Sequence, residues 1–204
     1  MLWFLPGKFR IIAGKWRGRK IVFPSLPELR PTSDRIRETL FNWLSPYIKD
    51  SCCLDLFAGS GALGFEALSR GCAHVTFFDH SKKVIETLQK NAEILNTKNT
   101  TFFFEEFPYK INELQHGYFN IVFLDPPFYQ GLIRQAAVWL EKTEILAPET
   151  YIYVESEKNL SMIMPNNWEI YREKKTSTIF YRLFFRFKKE ANYSSFKTNY
   201  TRDE

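Results

Sequence analysis

Residues 54–68 read LDLFAGSGALGFEAL. The stretch begins inside an apolar strand-like run, Cys52–Phe57 (CCLDLF). It ends inside a helical pattern, Ala62–Arg70 (ALGFEALSR), stopped by Gly71. Between the two, a strand must turn sharply into a helix. Gly59 and Gly61 fall at that turn, where glycine permits a positive φ and lets a ligand approach the backbone. The spacing Gly-Ser-Gly-Ala-Leu-Gly superficially matches the dinucleotide fingerprint G-x-G-x-x-G, which alone serves a structural turn as well as a ligand site.

Strand-like and helix-like runs go on alternating after this turn. AHVTFFD (Ala73–Asp79), TTFFFEE (Thr100–Glu106), NIVFLD (Asn120–Asp125) and YIYVESE (Tyr151–Glu157) read as strands. KKVIETLQKNAEIL (Lys82–Leu95) and LIRQAAVWLEK (Leu132–Lys142) carry helical periods, with Ser81 placed to cap the first. WEIYREKK (Trp168–Lys175) and TIFYRLFFRF (Thr178–Phe187) read as a terminal hairpin joined near Thr176 and Ser177. Alternation of this kind implies crossover units and a mostly parallel sheet covered on both faces, here seven strands with an antiparallel C-terminal edge. Residues 51–187 are expected to form this α/β, Rossmann-like domain. Residues 1–50 fall outside the alternation and read as an N-terminal extension, and residues 188–204 as a polar tail.

The chain has 204 residues, enough for one domain with a small appendage, and 45% of them are hydrophobic, which excludes wholesale disorder. Its charge is unevenly placed. Residues 1–50 carry a net +6, residues 51–170 a net −6, and residues 171–204 a net +5. Basic ends flanking an acidic block point to a polyanionic partner. Cys52, Cys53 and Cys72 form neither a metal spacing nor an even disulfide framework and read as reduced packing residues of a cytoplasmic protein. No apolar run approaches the roughly 20 residues a membrane helix needs.

Two acids turn the glycine turn into a pocket. Asp55 precedes Gly59 by four residues, and Asp79 ends the second strand. An acid at the second strand's end can accept hydrogen bonds from ribose hydroxyls. An acid four residues ahead of the turn lies outside the dinucleotide fingerprint. It suits a ligand with a cationic amine, such as S-adenosylmethionine. Ligands of open α/β sheets bind outside the strand C-ends, where these residues converge.

The fourth strand ends in Asp125-Pro126-Pro127-Phe128, more than a strand stop requires. Its C-end should lie beside that of the first strand. Two prolines donate no N–H, so local carbonyls, that of Pro126 included, can face a ligand, and Asp125 adds a carboxylate acceptor. Together they suit an amino group with two hydrogens to satisfy. Phe128 offers a flat face to a base, and base–aromatic stacking is worth about 1–3 kcal/mol.

Here the chain resembles a known family. An Asp/Asn-Pro-Pro-aromatic tetrapeptide after a glycine-rich first turn is similar to the motif of amino methyltransferases. RIIAGKWRGRKI (Arg10–Ile21), RPTSDRIRETLFNWL (Arg30–Leu44), LDLFAGSGALGFEALSRG (Leu54–Gly71) and DPPF (Asp125–Phe128) resemble the bacterial small-subunit ribosomal RNA guanine-N2 methyltransferases of the RsmD type, across about Arg10 to Arg186. The resemblance implies a class I methyltransferase that moves a methyl from S-adenosylmethionine, leaving S-adenosylhomocysteine, to a guanine of 16S rRNA without a metal. It implies that Asp55, Phe57, Gly59 and Gly61, with Ala58 in the same turn, hold the methionine part. Asp79 would hold the ribose, Glu106 and Phe107 the adenine with His80 nearby, and Asp125 to Phe128 the target guanine. Glu106 departs from the Asp or Asn more usual in the family.

Arg10, Lys15, Arg17, Arg19 and Lys20 cluster without an acid around Trp16, a composition suited to phosphate contacts with one stacking ring. Arg30, Arg35 and Arg37 alternate with Asp34 and Glu38; at least one is expected to face RNA and others to serve internal ion pairs. The expected partner is 16S rRNA in an assembled or assembling small subunit, engaged by a monomer. Three other readings compete: a DNA or RNA adenine-N6 methyltransferase using the same tetrapeptide, a non-catalytic RNA-binding assembly factor with an inert pocket, and a protein glutamine methyltransferase, which the basic ends disfavour.

Overall fold

The structure, a computed structural model, describes residues 6–26, 29, 31–110, 118–158 and 164–188. In chain order the elements are β1 (Gly7–Arg10), β2 (Lys20–Phe23), α1 (Asp34–Leu44), β3 (Cys52–Asp55), α2 (Ala62–Ser69), β4 (His74–Asp79), α3 (Lys82–Ile94), β5 (Thr100–Phe104), β6 (Phe119–Leu124), α4 (Leu132–Lys142), β7 (Leu146–Glu157), β8 (Trp168–Lys175) and β9 (Ile179–Phe187).

The main sheet has seven strands in the order β5-β4-β3-β6-β7-β9-β8. Strands β5, β4, β3, β6 and β7 run parallel, and β9 and β8 close the edge as an antiparallel hairpin. The chain steps outward from β3 to β5, then returns to β6 on the other side of β3. This reversal is a topological switch point, and it places the C-ends of β3 and β6 side by side, with Asp55 opposite Phe123.

Strand residues alternate between two apolar layers, as the two-residue period requires. Cys53, Val75, Phe77, Ile121, Phe123 and Tyr153 pack on the face covered by α1, α2 and α3. Leu54, Phe78, Val122, Leu124, Ile152 and Val154 pack on the face covered by α4, through Ile133, Ala136, Ala137 and Leu140.

The N-terminal segment forms a small antiparallel pair, β1 with β2, followed by α1. It is packed into the first of these cores rather than standing apart from it. Ser33 caps α1 by accepting the Ile36 N–H, and Ile36, Leu40, Phe41 and Leu44 line the helix's buried side.

Beyond one-residue shifts in β4, β6 and β9, three strand boundaries differ from the sequence expectation. β3 stops at Asp55, two residues early, because Leu56 and Phe57 already enter the turn. β5 stops at Phe104, and the following turn is closed by the Lys110 N–H on the Glu105 carboxylate at 3.0 Å. β7 starts at Leu146 rather than Tyr151. Pro148, with no N–H to donate, falls where the β6–β7 register shifts between Phe119 and Ile121, and its carbonyl accepts the Lys188 N–H at 2.7 Å. The expected tail beyond residue 188 lies outside the described residues.

Candidate active site

At the C-ends of β3, β4 and β6 opens a cavity of about 600 Å³, within the range of small-molecule sites. Its floor is the turn after β3. Gly59 and Gly61 adopt φ of +49° and +77°, the left-handed region that the sequence pattern requires of them. A Cβ on Gly61 would fall 2.5 Å from Leu88 and 2.8 Å from Phe65, so this position is closed to side chains by packing as well as by φ.

Asp79 holds the turn in place. One carboxylate oxygen accepts the Gly59 N–H at 2.9 Å and the other the Ser81 N–H at 2.8 Å. Burial raises its pKa, and those two backbone bonds oppose the rise. Ser81 separately caps α3 through Val84, so Asp79 is not needed as that helix's cap. Asp55 is 2% exposed and accepts the Gly64 N–H at 3.2 Å. Burial first, then the charge of Asp125, push its pKa up to about 8. An acid this destabilised when ionised is poised to receive a cation.

The wall facing this floor is Asp125-Pro126-Pro127-Phe128, all four lining the cavity with Asp55, Phe57, Ala58, Gly59, Asp79 and His80. The side chain of His80 is two-thirds exposed at the rim, 3.7 Å from the Asp79 carboxylate. Asp125 accepts a bond from the Thr32 hydroxyl at 3.2 Å, and burial lifts its pKa to about 6 against that bond. Thr32 precedes α1, so the N-terminal segment supplies part of the site: Leu26, Leu29, Pro31, Ser33 and Ile36 also line the cavity.

Behind Thr32 lies a buried charge network. Arg37 is fully buried; its Nε donates to the Thr32 carbonyl at 3.2 Å, Nη1 to Glu66 at 3.4 Å, and Nη2 to Asp34 at 2.6 Å and the Arg10 carbonyl at 2.8 Å. Glu66 also accepts the Ile12 and Ala13 N–H groups and pairs with Arg70 at 2.7 Å. The network joins the basic N-terminal loop to the site wall.

Several expectations need correction. Arg37 cannot meet RNA, because the helix turns it inward onto Glu66. Trp16 is 8% exposed and belongs to the core. The turn that carries it is drawn onto α2 by the Lys15 N–H to the Ser69 carbonyl at 2.7 Å and the Trp16 N–H to the Ser69 hydroxyl at 2.9 Å. Its ring is therefore not a free stacking platform. Glu106 is exposed and Phe107 packs against Phe57, Tyr109 and Trp139; neither lines the cavity, since β5 ends early and the chain folds away. Arg10, Lys15, Arg17, Arg19, Lys20 and Arg35 are exposed, while Arg30 lies outside the described residues.

Sequence reading missed Thr32 and Glu155. Both line the cavity, and Glu155 is 8% exposed with one oxygen bonded by the Tyr153 hydroxyl at 2.8 Å. The signal for Glu155 was an acid on the core side of the strand YIYVESE. Thr32 lies inside the quoted stretch Arg30–Leu44, but nothing there says that it reaches Asp125 across 93 residues.

A seven-stranded sheet of this order, with an acid-lined glycine turn facing an Asp-Pro-Pro-Phe corner across the switch point, defines a Rossmann-like class I methyltransferase. The chain belongs to the family described as Conserved hypothetical protein 95, which matches residues 9–185. Relatives named Ribosomal RNA small subunit methyltransferase D, from Haemophilus influenzae and Escherichia coli, are each 46% identical over 189 residues, covering 87% and 88% of this chain and 94% and 91% of theirs. The solved structure of the Escherichia coli protein yhhF is 45% identical, with a TM-score of 0.80 over 90% of this chain and 100% of that one. A Thermus thermophilus 16S rRNA N2 methyltransferase solved with AdoMet and guanosine shares the fold at 22% identity, with a TM-score of 0.66 over 91% of this chain and 50% of that one.

Proposed function

We propose that the protein transfers a methyl group from S-adenosylmethionine to the exocyclic N2 of a guanine in 16S rRNA. One observation carries the reading: the buried acid Asp55 and the acceptor-bearing corner Asp125–Phe128, whose two prolines donate nothing, line one cavity.

The residues present fit the cofactor. Asp55 offers a desolvated carboxylate to its ammonium group. Asp79, each oxygen of which accepts one backbone bond, keeps a free lone pair on each for ribose hydroxyls. Phe57, Leu63 and Val84 supply apolar surface for a base. When bound, the cofactor supplies a methyl already activated on a sulfonium, so the nucleophile is the difficulty.

The lone pair of guanine N2 is delocalised into the ring. Asp125 and the Pro126 carbonyl accept its two N–H bonds and draw that lone pair toward the methyl, while Phe128 stacks on the base. This is positioning plus preorganised electrostatics. As the N–C bond forms and the S–C bond breaks, the nitrogen's surplus proton passes to Asp125 or to water. Thr32 orients the Asp125 carboxylate. The target must leave its stack to reach the corner, at a cost of a few kcal/mol.

The exposed cations Arg10, Lys15, Arg17, Arg19, Lys20 and Arg35 hold phosphates of rRNA presented in an assembled or assembling small subunit. The protein works as a monomer in the cytoplasm. The basic segment 1–50 serves as an RNA-binding extension joined to a catalytic domain spanning 51–187.

The test is incubation with labelled S-adenosylmethionine and, in parallel, unmodified small-subunit particles, naked 16S rRNA and DNA, followed by digestion to nucleosides. The expected product is N2-methylguanosine from the particles, abolished by Asp125→Ala. Methyl found on adenine alone would overturn the assignment, and full biological effect of Asp125→Ala would favour a non-catalytic role.

A further inference from the structure

The Asp-Pro-Pro-Phe corner suits the amino group of adenine as well as that of guanine, so base choice has to come from another group in the cavity. Strand β7 supplies a candidate. Leu124 pairs with Val154 in the parallel ladder, so Asp125 and Glu155 follow at the next step of neighbouring strands. They share the face of Phe123 and Tyr153. Both line the cavity.

Glu155 is held as a reading group would be. Its Oε2 accepts the hydroxyl of fully buried Tyr153 at 2.8 Å, which fixes the carboxylate's orientation. Among the described residues its Oε1 has no hydrogen-bond partner. Oε1 is not one of the buried unsatisfied atoms, so it is open to the cavity that Glu155 lines and free to accept from a ligand. The charge network described above uses Glu66 and Arg37 and leaves Glu155 uninvolved.

We propose that Glu155 determines base specificity, its free carboxylate oxygen accepting the N1–H of the target guanine beside Asp125. This rests on the guanine-N2 reading above. Guanine presents N1–H next to the N2 amino group, an unbroken row of donors. Adenine presents a bare N1 lone pair next to its amino group. Two adjacent carboxylates, which only accept when ionised, match the first row and repel the second. Burial and the charge of Asp125 push the Glu155 pKa up to about 8. The protonated acid can donate to a bare N1, so the discrimination belongs to the ionised form and strengthens as pH rises past that value. Arrival of the guanine donors favours its ionisation, and base binding is accordingly linked to proton release.

Calorimetry above pH 8, where Glu155 is ionised, on the full chain saturated with S-adenosylhomocysteine tests this, using guanosine and 2-aminopurine riboside as probes. The second keeps the amino group but has a lone pair at N1 and lacks O6. The wild type is expected to favour guanosine by roughly 5- to 100-fold. Glu155→Gln should close most of that gap, since its amide can donate to the bare N1. Glu155→Asp should retain it. The missing O6 affects every variant alike, so the change in the gap isolates Glu155. No gap in the wild type, or an unchanged gap in Glu155→Gln, overturns the proposal. So does a Glu155→Gln protein that no longer binds S-adenosylhomocysteine, which would make the residue a structural part of the pocket. A wild type that makes no N2-methylguanosine on particles would refute the function itself, independently of the gap.

Discussion

Asp55 is an acid kept where an acid is costly. Its folded pKa of about 8 lies above the ordinary value of 3.8. Between those values the folded state holds a proton that the unfolded state has released, so folding stability falls as pH rises from about 4 to 8. Asp55→Asn removes this liability. Its expected outcome is a higher melting temperature than the wild type at pH 8, equal stability near pH 4, and loss of S-adenosylmethionine binding, read by thermal melts and calorimetry. Binding a cation favours the ionised acid, so the wild-type cofactor affinity should climb toward pH 8 with proton release. Asp125 acts lower on the scale. With its pKa at about 6, the methyl-transfer rate should rise through that pH as the carboxylate becomes an acceptor. Thr32→Val removes a hydrogen bond that favours the charged form, which should shift this limb to higher pH and slow transfer roughly tenfold at pH 6.

At the level of elements, the alternating strands and helices were legible because each carries its own period: α4 runs from Leu132 to Lys142, and the hairpin turns at Thr176–Thr178, as patterned. The glycine turn and the proline corner were legible because φ > 0 and missing N–H groups are written in residue type. The role of α1 was not. Its sequence alternates Arg with Asp and Glu, and nothing local says that Arg37 points inward to a glutamate 29 residues away. The same holds for Trp16, whose burial depends on a serine in another helix. These side chains are placed by long-range contacts that no periodicity reports. The consequence is measurable. Arg37→Ala leaves Glu66 buried beside a single remaining cation, Arg70, and frees the Thr32 carbonyl. Removing one partner of a buried ion pair costs roughly 3–5 kcal/mol. For a domain of this size that lowers the melting temperature on the order of 10 °C. Because Arg37 also braces Thr32, the surviving folded fraction should show a lower turnover with an unchanged cofactor affinity. An exposed RNA-contacting arginine would show the reverse: unchanged melting and weaker RNA binding.

Across the whole molecule, charge is separated rather than balanced. The acidic block 51–170 contains the carboxylates of the cavity, and the exposed cations of the N-terminal segment are carried beside it by β1, β2 and the turn between them. A polyanion would be repelled by the ionised carboxylates of this block, Asp125 among them, unless held from outside their reach. The basic segment provides such a hold, and the Glu66–Arg37–Thr32 network fixes it relative to Asp125. Phosphate contacts of this kind release counterions, so the logarithm of the affinity should fall linearly with the logarithm of salt concentration, by about 0.7 per contact for single-stranded RNA. Replacing Lys15, Arg17, Arg19 and Lys20 with alanine removes four exposed cations while leaving the Ser69 anchors intact. If all four touch phosphate, the slope should drop by roughly 3 and binding should weaken similarly for every RNA sequence tested, as measured by filter binding between about 50 and 200 mM salt. Cofactor affinity should not change, and the melting temperature should fall only slightly, from the lost exposed contacts of Arg19 with the Ile94 carbonyl and of Lys15 with the Trp16 ring. An unaltered slope would move the RNA contact to another face, the C-terminal β8–β9 edge with Arg172, Lys174 and Lys175 being the next basic surface to replace.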